Sequence, residues 1–144
     1  MPSFSLGSSE SEKVAVSVRN YERSVTGDYH DDNWLSVRVE VGAGAFSGEF
    51  DAAFLTEDFV GFREQLVALY DSLKGEAIFA TLEEQLSIRV VGDGCGGLTV
   101  TGEALDQPGI GNKLAFEFAL DQTSLVPILR ELDEIIALFP IRGV

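Results

Sequence analysis

The sequence is poor in the residues that most enzyme and metal sites need. In 144 residues it holds one cysteine (Cys95), one histidine (His30) and one tryptophan (Trp34). A single cysteine excludes an internal disulfide framework and a multi-cysteine zinc site. Any Ser–His–Asp or Cys–His arrangement would have to use His30, and the aspartates beside it would favour its protonated form. We therefore expect no catalytic residues, no cofactor and no metal, and a protein that is not an enzyme.

Positive charge and long hydrophobic runs are also scarce. Ten lysines and arginines stand against 24 aspartates and glutamates, so the formal net charge is -14. Nucleic acid and anionic membranes are disfavoured as partners, because phosphate contact needs a basic face, whereas a basic protein partner is favoured. The longest nearly apolar stretch, "IIALFPI", is far shorter than the roughly 20 residues of a membrane span, and the first residues lack the apolar run of a signal peptide. The expectation is a soluble, cytoplasmic protein, and the alternative that the acidity serves solubility alone stays open.

Periodicity predicts the fold. Length predicts a single domain over residues 1–144, with residues 1–12 as a candidate flexible N-terminal segment. Alternation with a period of two predicts strands in "KVAVSVRN", "LSVRVEV", "AFSGEFDAAF", "EAIFATL", "QLSIRVV", "LTVTGEAL" and "KLAFEFAL". Helical spacing predicts one helix from an N-cap at Thr56 to Lys74 and a second in "TSLVPILRELDEIIALF". Strand–helix–strand alternation is lacking, so we expect an α+β fold. Its mostly antiparallel curved sheet would carry two helices on one face, in the order strands–helix–strands–helix.

The stretch "GDYHDDNW" is the most distinctive part of the chain. Aromatic side chains surrounded by charge are typical of protein-recognition surfaces. One hypothesis is therefore that this stretch contacts a partner through Asp28, Tyr29, His30, Asp31, Asp32 and Trp34. A second is a solvated turn that leads into the next strand. A third is a metal site, but ligands from five consecutive residues rarely enclose an ion, and the glycine-centred calcium-loop pattern is absent.

Two glycine-rich stretches, "GDGCGG" and "QPGIGNK", lack the spacing of phosphate-binding loops and are typical of hairpin connections. Cys95 has no nearby cation in the sequence to lower the pKa of its thiol. We expect it to be a structural or incidental residue.

Three long spans resemble the WapI-type family of bacterial immunity proteins. They are "DDNWLSVRVEV", "LYDSLKGEAIFATLEEQLSIRVVGDG" and "GEALDQPGIGNKLAFEFALDQT", of which "GEALDQPGIGNKL" is the most distinctive. The resemblance runs from about Trp34 to Phe139. It implies an antitoxin that binds and neutralises the C-terminal toxin domain of a cell-surface polymorphic toxin. The characterised toxins of that system are nucleases that act on tRNA. The resemblance brings no catalytic residues.

The expected function is therefore non-enzymatic neutralisation of a cognate toxin domain by direct protein–protein binding through an acidic surface, with a basic nuclease as the expected toxin. Two alternatives remain at this point. One is a small metal-dependent enzyme or metal-binding domain that uses the His30 loop. The other is a structural or oligomerisation module that forms a homo-oligomer through exposed apolar residues such as Trp34.

Overall fold

Within residues 1–143, eight strands form two separate four-stranded antiparallel sheets. The computed structural model describes residues 1–143, except for the side chains of Ser8 and His30. The N-terminal sheet has the order β1–β2–β3–β4 and the C-terminal sheet the order β5–β6–β7–β8. The strands are β1 (Ser3–Ser9), β2 (Glu12–Tyr21), β3 (Trp34–Ala43), β4 (Phe46–Leu55), β5 (Lys74–Ala80), β6 (Leu86–Asp93), β7 (Gly97–Gln107) and β8 (Ile110–Asp121). The helices are α1 (Tyr29–Asp32), α2 (Thr56–Ser72) and α3 (Leu125–Leu138), the last entered through a 3-10 turn at Gln122–Ser124.

The inner faces of both sheets and the buried sides of α2 and α3 form one hydrophobic cluster. Phe79 of β5 lies at its centre, with its ring 5.4 to 5.7 Å from the rings of four other phenylalanines. These are Phe4, Phe54, Phe59 and Phe62. Burial of each such side chain contributes roughly 1.5–3 kcal/mol. The alternating residues of β2 and β3 continue this core, because every second side chain on a strand points to the same face.

Helix α2 follows β4 without a loop. Leu55 is the N-cap residue, and its backbone N–H donates to Asp58 Oδ2 at 3.0 Å. Thr56, predicted as the cap, is instead the first helical residue and is buried, with its N–H donating to Asn33 O at 3.0 Å. The helix ends at Ser72, and its C-cap residue Leu73 adopts a left-handed conformation with φ 64°.

The α+β class, the antiparallel pairing and the order strands–helix–strands–helix are confirmed. The strands are divided between two sheets where a single curved sheet was expected. Helix α2 separates β4 from β5, so these two strands have no hairpin to join them, and each sheet is a run of consecutive strands. Each half thus repeats a four-stranded meander followed by a helix.

The N-terminal segment differs from the prediction. Residues 1–12 were a candidate flexible segment, but β1 pairs with β2 and places Phe4 and Leu6 fully inside the core. Two apolar residues among serines and a glycine are too few to give a periodic signal.

The helices of the described chain are each too short or too polar to cross a membrane.

Candidate functional site

The stretch Gly27–Asn33 folds into a compact turn before β3. Helix α1 is a single turn within it, and the backbone N–H of Asp32 donates to Asp28 O at 2.9 Å. The side chain of Asp28 accepts a hydrogen bond from the N–H of Asp31 at 3.2 Å. Short polar side chains that bind their own backbone in this way favour turns. The backbone is therefore a turn, as one hypothesis expected, but the turn is not solvated throughout, because Asp32 and Asn33 are buried.

Asp32 is the internal anchor of the turn. Its side chain is buried, with 2 % of the residue exposed. Oδ1 accepts from the N–H and the hydroxyl of Thr26 at 2.7 and 2.8 Å, and Oδ2 accepts from the N–H of Gly27 at 2.9 Å. The hydrogen bond from the Thr26 backbone is the main reason that the pKa of Asp32 lies below its usual value. This carboxylate is engaged by its own loop and presents no free oxygen surface to a partner.

A segment more than 100 residues away locks the turn in place. Asn33 and Arg142 exchange two hydrogen bonds, from Arg142 N–H to Asn33 Oδ1 at 2.7 Å and from Asn33 Nδ2 to Arg142 O at 3.0 Å. The Arg142 guanidinium also donates to Asp32 O and lies 3.7 Å from the centre of the Tyr21 ring. These contacts hold the turn against β2 and the end of the chain described, so its exposed residues are presented on a fixed support.

The other predicted contact residues lie outward. The side chain of Asp31 is half exposed and lies 3.8 Å from Arg23, and Asp28 is exposed. Tyr29 is partly exposed, and its hydroxyl donates to Glu57 Oε2 at 3.3 Å. Burial of the Tyr29 ring, helped by the charge of Glu57, raises the pKa of the tyrosine.

Trp34 begins β3 opposite Leu55 of β4 and is half-buried. Its position alternates with the inward-facing Leu35, so it lies on the outer face of the N-terminal sheet. The side chain of His30 lies outside the described part of the structure. The turn thus brings together Asp28, Tyr29, Asp31 and the backbone of His30, while Trp34 lies at its edge.

A row of carboxylates that was not predicted from the sequence continues from this turn. Glu57, Glu64 and Asp71 are exposed on α2 and lie seven residues apart, so they share one side of the helix. Three residues at this spacing extend over about 21 Å. The hydrogen bond between Tyr29 and Glu57 joins the turn to the start of this row. The seven-residue spacing was the signal in the sequence that could have revealed the row.

We call the surface formed by Asp28, Asp31, Glu57, Glu64 and Asp71 the acidic face. Within residues 1–143, no lysine or arginine lies within ion-pair distance of Glu64 or Asp71. Arg63, the one cation on α2, is directed to Asp133 of α3 at 2.6 Å. The charges of Glu64 and Asp71 are therefore left without a direct counter-ion in the described chain.

No group of three or more possible metal ligands occurs among the described side chains. Asp32 is turned into its own loop, Asp28 accepts a hydrogen bond from Asp31 N–H, and Asp31 lies 3.8 Å from Arg23. The metal-site hypothesis depends on His30, whose side chain is not described, and it stays a prediction.

Comparison with known proteins adds to this geometry. Residues 5–140 match the sequence model of the Immunity protein WapI-like family. None of the curated proteins compared with the chain matches it. The family match includes both sheets, the turn and the acidic face.

Proposed function

Because this chain belongs to the WapI-like family of immunity proteins, we propose that it neutralises a cognate toxin domain by binding it directly, without catalysis of its own. The acidic face is the contact surface in this proposal, with Tyr29, His30 and Trp34 beside it. The proposal places the encounter in the cytoplasm, where an intracellular toxin would act. The observation that carries it is the row of carboxylates on α2, continuous with a rigidly held turn.

Charge indicates the kind of toxin that this surface would bind. Among the described residues, seven of the ten lysines and arginines lie within 4.0 Å of a side-chain carboxylate. These pairs leave most of the excess negative charge without a cation beside it. A nuclease needs a basic surface for the phosphates of its substrate. An acidic protein surface complements such a site and speeds association with it. We therefore propose that the toxin is a basic nuclease and that the acidic face covers its nucleic-acid-binding surface.

Rigid presentation supports the same proposal. Hydrogen bonds tie the turn to Thr26 and Arg142, and the row of carboxylates lies on a helix that Phe59 and Phe62 anchor in the core. A partner that binds these residues does not have to order them first, so little conformational entropy is lost.

The test is capture of the toxin by the tagged full chain at low and high salt, followed by measurement of its Kd and its residual nuclease activity. The variant Glu64→Lys/Asp71→Lys reverses charge on the acidic face. The matched control Glu83→Lys/Glu84→Lys makes the same change in net charge on the exposed turn between β5 and β6. We expect the first variant to weaken binding by about tenfold or more at low salt, with a smaller effect at high salt.

Equal loss of affinity in both variants would mean that net charge alone drives association and that the acidic face is not the contact surface. Capture of no toxin, or of a toxin whose activity the protein leaves unchanged, would overturn the proposed function.

A further inference from the structure

Helix side chains protect two of the four sheet edges. On β5, Ile78 N–H donates to Gln65 Oε1 at 2.9 Å, and Gln65 Nε2 donates to Ile78 O at 3.2 Å. On β1, Ser5 N–H donates to Glu131 Oε1 of α3 at 3.2 Å. Unprotected edges invite pairing with another chain, and such capping is one way to prevent it.

The edge of β4 has much less protection. A two-residue turn with Gly44 at φ 64° joins β3 to β4, and Ala43 pairs with Phe46 across it. In such a hairpin the pair next to the turn is hydrogen-bonded and the pairs then alternate. The backbone groups that point away from β3 are therefore those of Ser47, Glu49, Asp51, Ala53 and Leu55.

Among these five residues, only Leu55 has an outward backbone group with a hydrogen-bond partner in the described chain. Leu55 N–H is bound by Asp58, whereas the outward N–H and C=O groups of the other four residues have no hydrogen-bond partner in the described chain. The pairing of β4 with β3 continues without a register shift from Phe46 to Leu55. The edge strands β1 and β8 both carry register shifts, which twist an edge away from a potential partner. Within residues 1–143, β4 thus combines a regular edge, without a bulge, with main-chain N–H and C=O groups that have no hydrogen-bond partner.

A groove of about 300 Å³ lies beside this edge, between β4 and the β7–β8 hairpin. Val41, Phe50, Ala104 and Leu114 form its apolar part, and Phe46 stands at its rim with 69 % of its surface exposed. Asp106, Asn112 and Lys113 line its polar side, so the apolar side alone offers space for apolar side chains of a strand added to β4.

The charges of β4 indicate which strand would fit. Glu49 and Asp51 lie on the outer face, where Arg38 pairs with both at 2.8 and 3.1 Å and Arg19 pairs with Asp51 at 2.8 Å. Pairing of β4 with β4 of a second copy would bring like charges together across the strands, which is destabilising. Both side chains are still more than half exposed, so a lysine or arginine of a strand from another protein could share these carboxylates with Arg38 and Arg19.

We propose that the edge of β4 binds an extended segment of a partner protein by strand addition, with basic side chains towards Glu49 and Asp51 and apolar side chains in the groove. The identification of that partner with the toxin rests on the proposed function. The site itself rests on the free main-chain groups, the groove and the charge pattern. Main-chain hydrogen bonds would give affinity, and the alternation of side chains would give specificity.

The probe for this site is the peptide acetyl-KVKFKVK-amide, added to the full chain. Ser47→Pro removes one outward N–H while leaving the ladder with β3 intact, because proline is tolerated on an edge strand where its nitrogen faces solvent. Ser47→Ala, at the same position, keeps the N–H and is the matched control. We expect slower amide hydrogen exchange at Glu49 and Asp51 in the peptide complex. We also expect Ser47→Pro to weaken the Kd by about tenfold and Ser47→Ala by about twofold at most.

A second probe tests the wild-type chain and so does not depend on the folding of a variant. The fully N-methylated form of the peptide keeps the charges but loses every main-chain donor, so we expect it to bind at least about tenfold more weakly. No peptide binding, equal binding of the methylated peptide, or protection confined to Glu64 and Asp71 would each overturn the strand-addition site. Those results leave the toxin-capture test of the proposed function unaffected. Peptide binding at β4 together with failed toxin capture would overturn the proposed function alone.

Discussion

Asp32 and Asp31 are adjacent carboxylates that the structure gives opposite roles, and substitution by asparagine separates them. In the wild-type protein, Asp32 Oδ1 accepts two hydrogen bonds from Thr26 and Oδ2 accepts one from the N–H of Gly27 at 2.9 Å. In Asp32→Asn, the amide oxygen can still accept both hydrogen bonds from Thr26, but an NH₂ group faces the N–H of Gly27, and that hydrogen bond is lost. A hydrogen bond to a charged group is worth about 1.5–3 kcal/mol. Because Gly27 is exposed and can turn to water, we expect a loss of about 2 kcal/mol in the free energy of unfolding. This corresponds to a decrease of about 6 °C in Tm for a chain of this size.

Urea unfolding and thermal melts at pH 7 measure this effect, with Asp31→Asn as the control. Asp31 is half exposed and 3.8 Å from Arg23, so its substitution should change stability by less than about 0.5 kcal/mol. The lowered pKa of Asp32 means that its stabilising effect is present above the unfolded-state pKa and is lost as the pH falls through the folded-state value. The free energies of unfolding of Asp32→Asn and Asp31→Asn should therefore converge in acid. Equal stability of the two variants at pH 7 would refute the assignment of Asp32 as the anchor of the turn.

Two further predictions concern the core and the start of α2. Phe79→Ala removes a ring packed against four others and should lower the free energy of unfolding, measured by urea titration, by about 3–5 kcal/mol. Phe46→Ala removes an exposed ring and is the control. An equal loss of stability in both variants would show that the described core is wrong. Burial raises the pKa of Asp58 to about 6. The folded state therefore retains a proton that the unfolded state releases near pH 4. The contribution of Asp58 to the free energy of unfolding consequently declines as the pH rises from about 4 to 6. Asp58→Asn keeps an acceptor for Leu55 N–H and should gain about 1–2 kcal/mol relative to wild type across that range, after allowance for partial exposure; parallel stability curves against pH would contradict this.

Local patterns were sufficient for most of the secondary structure. The alternation in β2 and β3 and the helical spacing in α2 follow from which side chains a single face must bury, and each prediction agrees with the observed strands and helix. Strand β1 was not predicted, because its assignment depends on pairing with Val14 and Val16 of β2 and its two apolar residues are too few to show a period. The division into two sheets depends on which strands meet after α2, and local periodicity contains no information about that.

The site shows the same limit at the level of single residues. Asp31 and Asp32 were predicted in one contact set because nothing in "HDDNW" distinguishes them. The distinction arises from the direction in which one turn of helix points each side chain, and from Arg142, which meets Asn33 across 109 residues of sequence. The free edge of β4 was likewise not predictable, because whether a strand lies at the edge of a sheet depends on which other strands pair with it.

The acidic residues divide into those that the fold uses and those that it leaves unpaired. Asp32 holds the turn, Asp58 holds the start of α2, and Asp51 lies between Arg19 and Arg38 at 2.8 and 3.1 Å. Substitution of Asp32 or Asp58 would change stability first and binding only as a consequence, whereas Asp51 also lies at the edge proposed to bind an added strand. The side chains of Glu64 and Asp71 contribute no hydrogen bond or ion pair within the described chain, and about 10 Å of helix separates them, so their mutual repulsion is largely screened. The proposed function assigns these two charges to a partner that supplies the missing positive charge, and the alternative assigns them to solubility alone. The two charge-reversal variants separate these explanations, because only the first predicts a loss of affinity specific to Glu64 and Asp71.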